Sequence, residues 1–236
     1  MIKYKIQLLL IALVMMLTAS NQSRATETSF PMPKVELAQE KTIHGRKVLR
    51  YEHQNHENWG YSKPQRDYFN LVLPVKTTKN VPLRVILHSA GGSGDRAMIL
   101  GLTKNEAKMM HYYADERFYS LYLDCRQNKK TDWWWGYHLA RRSGNTYKER
   151  LTPTEKRLLS TIEWVVKEYD IDRNRIYLSG VSMGGSGSLG LGLCRGDIFC
   201  GHQCSCSSRH RTYATSLKQH HLPRPASGYK LLQPYR

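Results

Sequence analysis

Ser182 stands in Gly180-Val181-Ser182-Met183-Gly184, directly after the apolar run Ile176-Tyr177-Leu178-Ser179 and before a small-residue, helix-compatible segment. A strand, a sharp turn with a serine at its tip and then a helix is the arrangement that presents a hydroxyl as a nucleophile. The glycines are physical requirements of such a turn, because the backbone beside the serine is strained and packs too closely for a Cβ. Attack on a carbonyl develops an oxyanion, and the backbone N–H of Met183 is placed to receive it. A serine that merely opens a helix is the competing reading; the strand before and the helix after favour the nucleophile.

The elements that must hold this turn are legible around it. Lys47-Val48-Leu49-Arg50-Tyr51 alternates as a strand, and Tyr68 to Pro74 reads as a second. Leu83-Arg84-Val85-Ile86-Leu87-His88 has a buried-strand pattern and runs into Ser89-Ala90-Gly91-Gly92-Ser93-Gly94; Phe118 to Leu123 is the next strand, closing with Asp124. Thr103-Lys104-Asn105-Glu106 is a capping box, predicting a helix with Ala107, Met110, Ala114 and Phe118 as its apolar stripe. Thr152-Pro153-Thr154-Glu155 is another, with proline at the first helical position and Leu159, Ile162, Val166 and Tyr169 continuing for about four turns. Strands alternating with helices predict an α/β fold with a mostly parallel sheet and helices on both faces. No internal repeat and no linker divides the chain.

The 236 residues fit one domain with a real core, 40% of them being hydrophobic. The first 25 read as a secretory signal peptide: lysines before Ile6, an apolar run to Leu17, and Ser23-Arg24-Ala25 before the cleavage point. That run is shorter than the ~20 residues a spanning helix needs, so no stable membrane anchor is expected after cleavage, and the protein should be secreted or periplasmic. The formal charge is +17, yet the basic residues are scattered and no nucleic-acid recognition motif accompanies them. The charge points weakly to an anionic substrate and not to nucleic acid. Five cysteines form no recognisable disulfide framework, and Cys200, His202, Cys204, Cys206 and His210 match no common zinc spacing. Gly185-Ser186-Gly187-Ser188-Leu189-Gly190 matches a dinucleotide-binding fingerprint, but no carboxylate follows Asp197 to hold a ribose. Neither a metal nor a cofactor is expected.

The segment from about Tyr68 to Phe199 resembles the α/β-hydrolase family, above all secreted esterases of the polyhydroxyalkanoate-depolymerase and feruloyl-esterase type and their prolyl-oligopeptidase-like relatives. The resemblance is carried by Leu87-His88-Ser89-Ala90-Gly91-Gly92 and by the run from Tyr169 to Gly185. It implies a serine esterase in which Ser182 is the nucleophile. The N–H of Met183 and one from Ala90 or Gly91 would form the oxyanion hole, each preorganised donor contributing roughly 3–4 kcal/mol. Ser89 and Ala90 depart from the family's His-Gly-Gly-Gly pattern, which leaves the second donor open by a residue. The substrate would be an ester of a small molecule or one linked to a polysaccharide. Trp133, Trp134 and Trp135 lie in a loop after the fourth strand, at the ligand-bearing end of such sheets, where exposed indoles would stack on a sugar or an aromatic acyl group. Packing of the loop onto the core is the alternative for them. A serine peptidase and a non-catalytic carbohydrate-binding protein are the competing functions.

From Cys200 the resemblance stops. The family pattern calls for an apolar strand, then the triad acid and last the histidine; instead come cysteines, histidines, arginines and prolines without periodicity, and not one Asp or Glu from Ile198 to Arg236. A single-nucleotide shift after the Phe199 codon would account for this. Read from the old second base, cysteine codons become Val or Ala, and histidine codons become Ile, Met or Thr. The expectation is therefore residues 26–199 as the N-terminal portion of an α/β-hydrolase domain, with the C-terminal part of the fold missing. Residues 200–236 are expected to be an out-of-frame, unstructured tail, and the chain inactive for want of the triad acid and histidine.

Overall fold

The apolar runs read above pair side by side in one mixed sheet. The computed structural model describes residues 32–54, 57–61, 64–76, 79–103, 111–125, 133–135, 151–206 and 211–216. Its strands are β1 (Val35–Ile43), β2 (Arg46–Gln54), β3 (Arg66–Val72), β4 (Leu83–Leu87), β5 (Tyr119–Leu123), β6 (Ile176–Val181), β7 (Gly201–Cys206) and β8 (Arg211–Ser216), in spatial order β1-β2-β3-β5-β4-β6-β7-β8. The centre, β5-β4-β6-β7, is parallel, and the flanking pairs are antiparallel. The helices are α1 (Gly94–Leu102), α2 (Pro153–Glu168) and α3 (Met183–Cys194).

Side chains of a strand alternate between faces, and β4 shows both cores. Leu83, Val85 and Leu87 face Leu158, Ile162 and Val165 of α2 and Leu191 of α3, while Ile86 faces Ala97, Met98 and Leu102 of α1. Helices therefore cover both faces of an α/β sheet, as the alternation of elements predicts. The Thr152 capping box is closed: Glu155 N–H donates to Thr152 Oγ1 at 3.3 Å, and Thr152 N–H donates to Glu155 Oε2 at 2.6 Å. Behind it, Arg157 of α2 makes a fully buried ion pair with Asp67 of β3 at 2.6 Å and donates to the carbonyl of Asp124 at 2.6 Å.

The structure differs from the sequence reading in three places. The edge strand β1 was not foreseen; six of its nine residues are exposed and none is buried, so it carries no clear alternation and is held by its backbone ladder to β2. Thr103 has a role at the end of the preceding helix. It closes α1, its N–H and hydroxyl both donating to Ile99 O at 3.1 and 2.8 Å. That helix begins at Gly94, capped by Ser93, whose Oγ accepts the Arg96 N–H. Residues 104–110 lie outside the described residues, and Ala114 and Phe118 belong to the turns of 111–118. What hid α1 is its glycines, which serve close packing: a Cβ on Gly94 would stand 2.6 Å from Leu123 O, and one on Gly101 would stand 1.9 Å from Tyr112 O.

The third difference concerns the chain beyond Cys200. Residues 201–206 pair in parallel with β6, and 211–216 return antiparallel beside them. The exposed edge of β6 supplies the cause: its free N–H and C=O groups accept an extended segment whatever its side chains. The signal-peptide segment 1–25, His210, His220 and His221 lie outside the described residues. No described helix is long and apolar enough to cross a membrane.

Candidate active site

Ser182 joins β6 to α3 with φ 55° and ψ −116°, a combination that costs a non-glycine residue strain. Its neighbours explain how the turn is held. A Cβ on Gly180 would meet the Gly184 backbone at 2.4 Å, and one on Gly184 would lie 2.0 Å from the Leu87 carbonyl. Only hydrogen at both positions lets α3 start against the ends of β6 and β4. Ser182 occupies the N-cap position, but its hydroxyl makes no cap hydrogen bond. Ser182 is half-buried, and its Oγ is not spent on the helix. Met183 is the first residue of α3, where an N–H has no acceptor within the helix.

The loop after β4 lies against this turn. Gly92 N–H donates to Ser89 O at 3.0 Å, closing a β-turn with Gly91, φ 74°, at the position that demands a left-handed residue. Ser89 N–H donates to the phenol oxygen of buried Tyr112 at 3.1 Å. That leaves the exposed amides of Ala90 and Gly91 with no acceptor among the described residues. The carbonyl of Tyr112 is itself held by the Tyr122 hydroxyl at 2.5 Å.

His88, fully buried at the strand end, fixes the root of this loop. Its Nδ1 lies 2.8 Å from Ser89 O, and its Nε2 accepts the Cys125 N–H at 3.1 Å. An acceptor at Nε2 requires the proton on Nδ1, so both ring nitrogens are committed and His88 is not a base for Ser182. Asp124, 3.9 Å from that ring, accepts from the Tyr68 hydroxyl at 2.7 Å and from Gly94 N–H at 3.1 Å, tying α1 to the end of β5. Burial first, and the bond to Asp124 second, push the Tyr68 phenol well above its ordinary pKa.

Of the three tryptophans, Trp134 takes the alternative of packing the loop onto the core. Trp134 is fully buried, donates its indole N–H to His88 O at 2.8 Å and stacks edge-on to the His88 ring at 5.1 Å. Trp133 and Trp135 are partly buried and pack against the same core. Glycines of α3 make the room: a Cβ on Gly187 would lie 2.4 Å from Trp134, and one on Gly190 would lie 2.2 Å from the Trp135 ring. The Gly-x-Gly-x-x-Gly spacing of 185–190 is thus, at Gly187 and Gly190, a slot for indoles.

Beside the loop lies a cavity of about 390 Å³, walled by Ser89, Gly91, Arg96, His111, Tyr112 and Val181, the residue before the serine. Burial, then the charge of Arg84, lowers the pKa of His111 and keeps its imidazole neutral. Arg96, His111 and Tyr112 carry no motif, and nothing in the sequence marked them. Among the described residues no group of three His, Cys, Asp or Glu side chains is arranged to hold a metal.

A parallel β5-β4-β6-β7 centre, helices on both faces and a strained serine at the β6–α3 turn define the architecture. The chain has the α/β-hydrolase fold. No family model matches it, and no curated protein matches it in sequence. Among solved structures it is similar to an S-formylglutathione hydrolase from Agrobacterium tumefaciens (17% identity over 72% of this chain and 61% of that one, TM-score 0.47). It is also similar to an S-formylglutathione hydrolase from Staphylococcus aureus (14%, 65% and 55%, TM-score 0.41) and to an acetyl xylan esterase from Aspergillus awamori (12%, 72% and 50%, TM-score 0.39). The chain spans between half and about three fifths of the length of these proteins.

Proposed function

We propose that this chain belongs to an exported serine hydrolase that cleaves carboxylic esters by acyl transfer through Ser182. The observation that carries the reading is Ser182 itself: a strained serine whose hydroxyl is not spent on a helix cap, beside a loop whose Ala90 and Gly91 amides face no acceptor among the described residues. In this reading Oγ attacks the ester carbonyl, and the carbonyl oxygen is received by the Met183 N–H and by Ala90 or Gly91. The alcohol departs with a proton, and water then releases the acid and restores the hydroxyl. Among the described residues no histidine hydrogen-bonds the Ser182 hydroxyl: His88 has both nitrogens engaged, His53 and His202 are buried in other parts of the sheet, His44 sits in the β1–β2 turn, and His111, although it walls the cavity, makes no bond to Ser182. Acylation should accordingly be slow near neutrality and faster in alkali, where hydroxide takes the place of a base.

Treatment with an aryl-tagged fluorophosphonate at pH 9, followed by peptide mass mapping, tests this. An adduct on Ser182, absent from Ser182→Ala, is expected. No adduct in alkali, or one on another residue, would overturn it. Turnover of a p-nitrophenyl ester without turnover of the matching anilide separates the esterase from a peptidase, and a culture supernatant or periplasmic extract containing the chain without residues 1–25 supports export.

A further inference from the structure

We infer that the cavity beside Ser182 selects anionic substrates: Arg96 receives a carboxylate carried on the acyl part of the ester. This deepens the esterase reading and rests on it. Among the described residues, those walling the cavity include one cation, Arg96, and no carboxylate. Arg96 makes no ion pair among the described residues, and it is an exposed residue of the cavity wall. The adjacent carboxylate does not neutralise it. Asp95 is turned away to Arg50 at 3.0 Å and Asn70 at 2.8 Å; although burial raises its pKa, those partners hold it below its ordinary value as a spent anion. Asp115 is likewise taken by Arg117 at 2.9 Å, and Asp124 by Tyr68 and Gly94.

The remaining wall adds to the same sign. The first turn of α1, pinned by Ser93 Oγ on the Arg96 N–H, places the positive end of a helix dipole at the cavity. Arg84 lies behind His111, close enough to help keep that imidazole neutral. Tyr112 accepts the Ser89 N–H with its oxygen, and its own proton remains available for donation. Donors and a cation, with no acid among the described wall residues, make a pocket for an anion. The amides of Ala90 and Gly91 and the first turn of α1 belong to one short stretch of chain, so carbonyl and carboxylate must be close. Monoesters of short dicarboxylic acids of the succinyl or glutaryl kind have this shape.

Succinamate and succinamide test the inference without chemistry. The amide carbonyl stands in for the ester, and only the former carries a charge. By calorimetric or NMR titration at low ionic strength, succinamate should bind about fivefold or more tightly than succinamide, a discounted figure for an Arg–carboxylate contact open to solvent. Molar sodium chloride should close the gap, because the Debye length shrinks to about 3 Å. Arg96→Gln should abolish the preference and Arg96→Lys should keep part of it, with circular dichroism unchanged in both. Equal binding of the two ligands, binding of neither, or a preference that survives Arg96→Gln would overturn the inference. The outcomes separate from those at Ser182: a fluorophosphonate adduct without anion preference removes only this subsite, whereas anion preference without an adduct removes the esterase reading.

Discussion

At Gly180 and Gly184 the missing Cβ is a matter of space, and at Gly91 it is a matter of backbone angle. The Gly184 Cβ would have to push aside the Leu87 carbonyl at 2.0 Å, and no rotamer relieves a contact with main chain. Gly184→Ala should therefore cost about 3 kcal/mol or more in urea unfolding, at the upper end of overpacking effects. At Gly91 a Cβ meets nothing within 4 Å, and only φ 74° resists it, so Gly91→Ala should cost about 1–2 kcal/mol. If both variants lost the same stability, the distinction between crowding and strain would be wrong. The serine turn was legible because close approach and strain restrict residue types so strongly that they leave a motif. Arg96, His111 and Tyr112 left none, since many side chains suit a cavity wall and nothing in their spacing is fixed.

Of the three helices, α2 was legible from its own capping box, α3 only through the serine turn that precedes it, and α1 was hidden despite its Ser93 cap. Thr152, Pro153 and Glu155 announce α2, and Thr152→Ala should lower stability by about 1 kcal/mol by leaving the cap open. By contrast α1 and α3 are rich in glycine, which costs a helix about 1 kcal/mol per residue relative to alanine. They form because the sheet and the indoles of Trp134 and Trp135 come within distances that larger residues forbid. The same element scale governs the buried pair between α2 and β3. Arg157→Leu strands Asp67 without its cation and should cost about 3–5 kcal/mol, while Asp67→Leu combined with Arg157→Met should recover most of it. A double-mutant cycle in denaturant decides this, and additive losses would count against a coupled pair.

For the whole molecule, buried imidazoles set the response to acid. His53, His111 and His202 all have pKa values lowered chiefly by burial; the charges of Arg157 at His53 and Arg84 at His111 act in the same direction, while Asp67 and the Gln54 carbonyl oppose it at His53. Each binds its proton more readily unfolded than folded. Stability should thus be full above about pH 6.5 and fall as pH drops through that value, with a limiting slope of about 1.4 kcal/mol per pH unit for each group. His202 is the informative one. It sits on β7 against α3, where a Cβ on Gly192 would lie 2.6 Å from its ring, and it is only 4% exposed. A parallel strand beside β6 wants an apolar residue there, and the proposed shifted frame would supply Ile, Met or Thr at that position. His202→Ile should raise the unfolding free energy at pH 7 and remove one group from the acid slope between pH 6.5 and 5. A variant less stable than the parent, or an unchanged slope, would mean that β7 is built for the histidine and that residues 200–206 are read in their own frame. Sequencing the gene across the Phe199 codon gives an independent check: the shifted frame must run on without an early stop and must encode an Asp or Glu followed by a His.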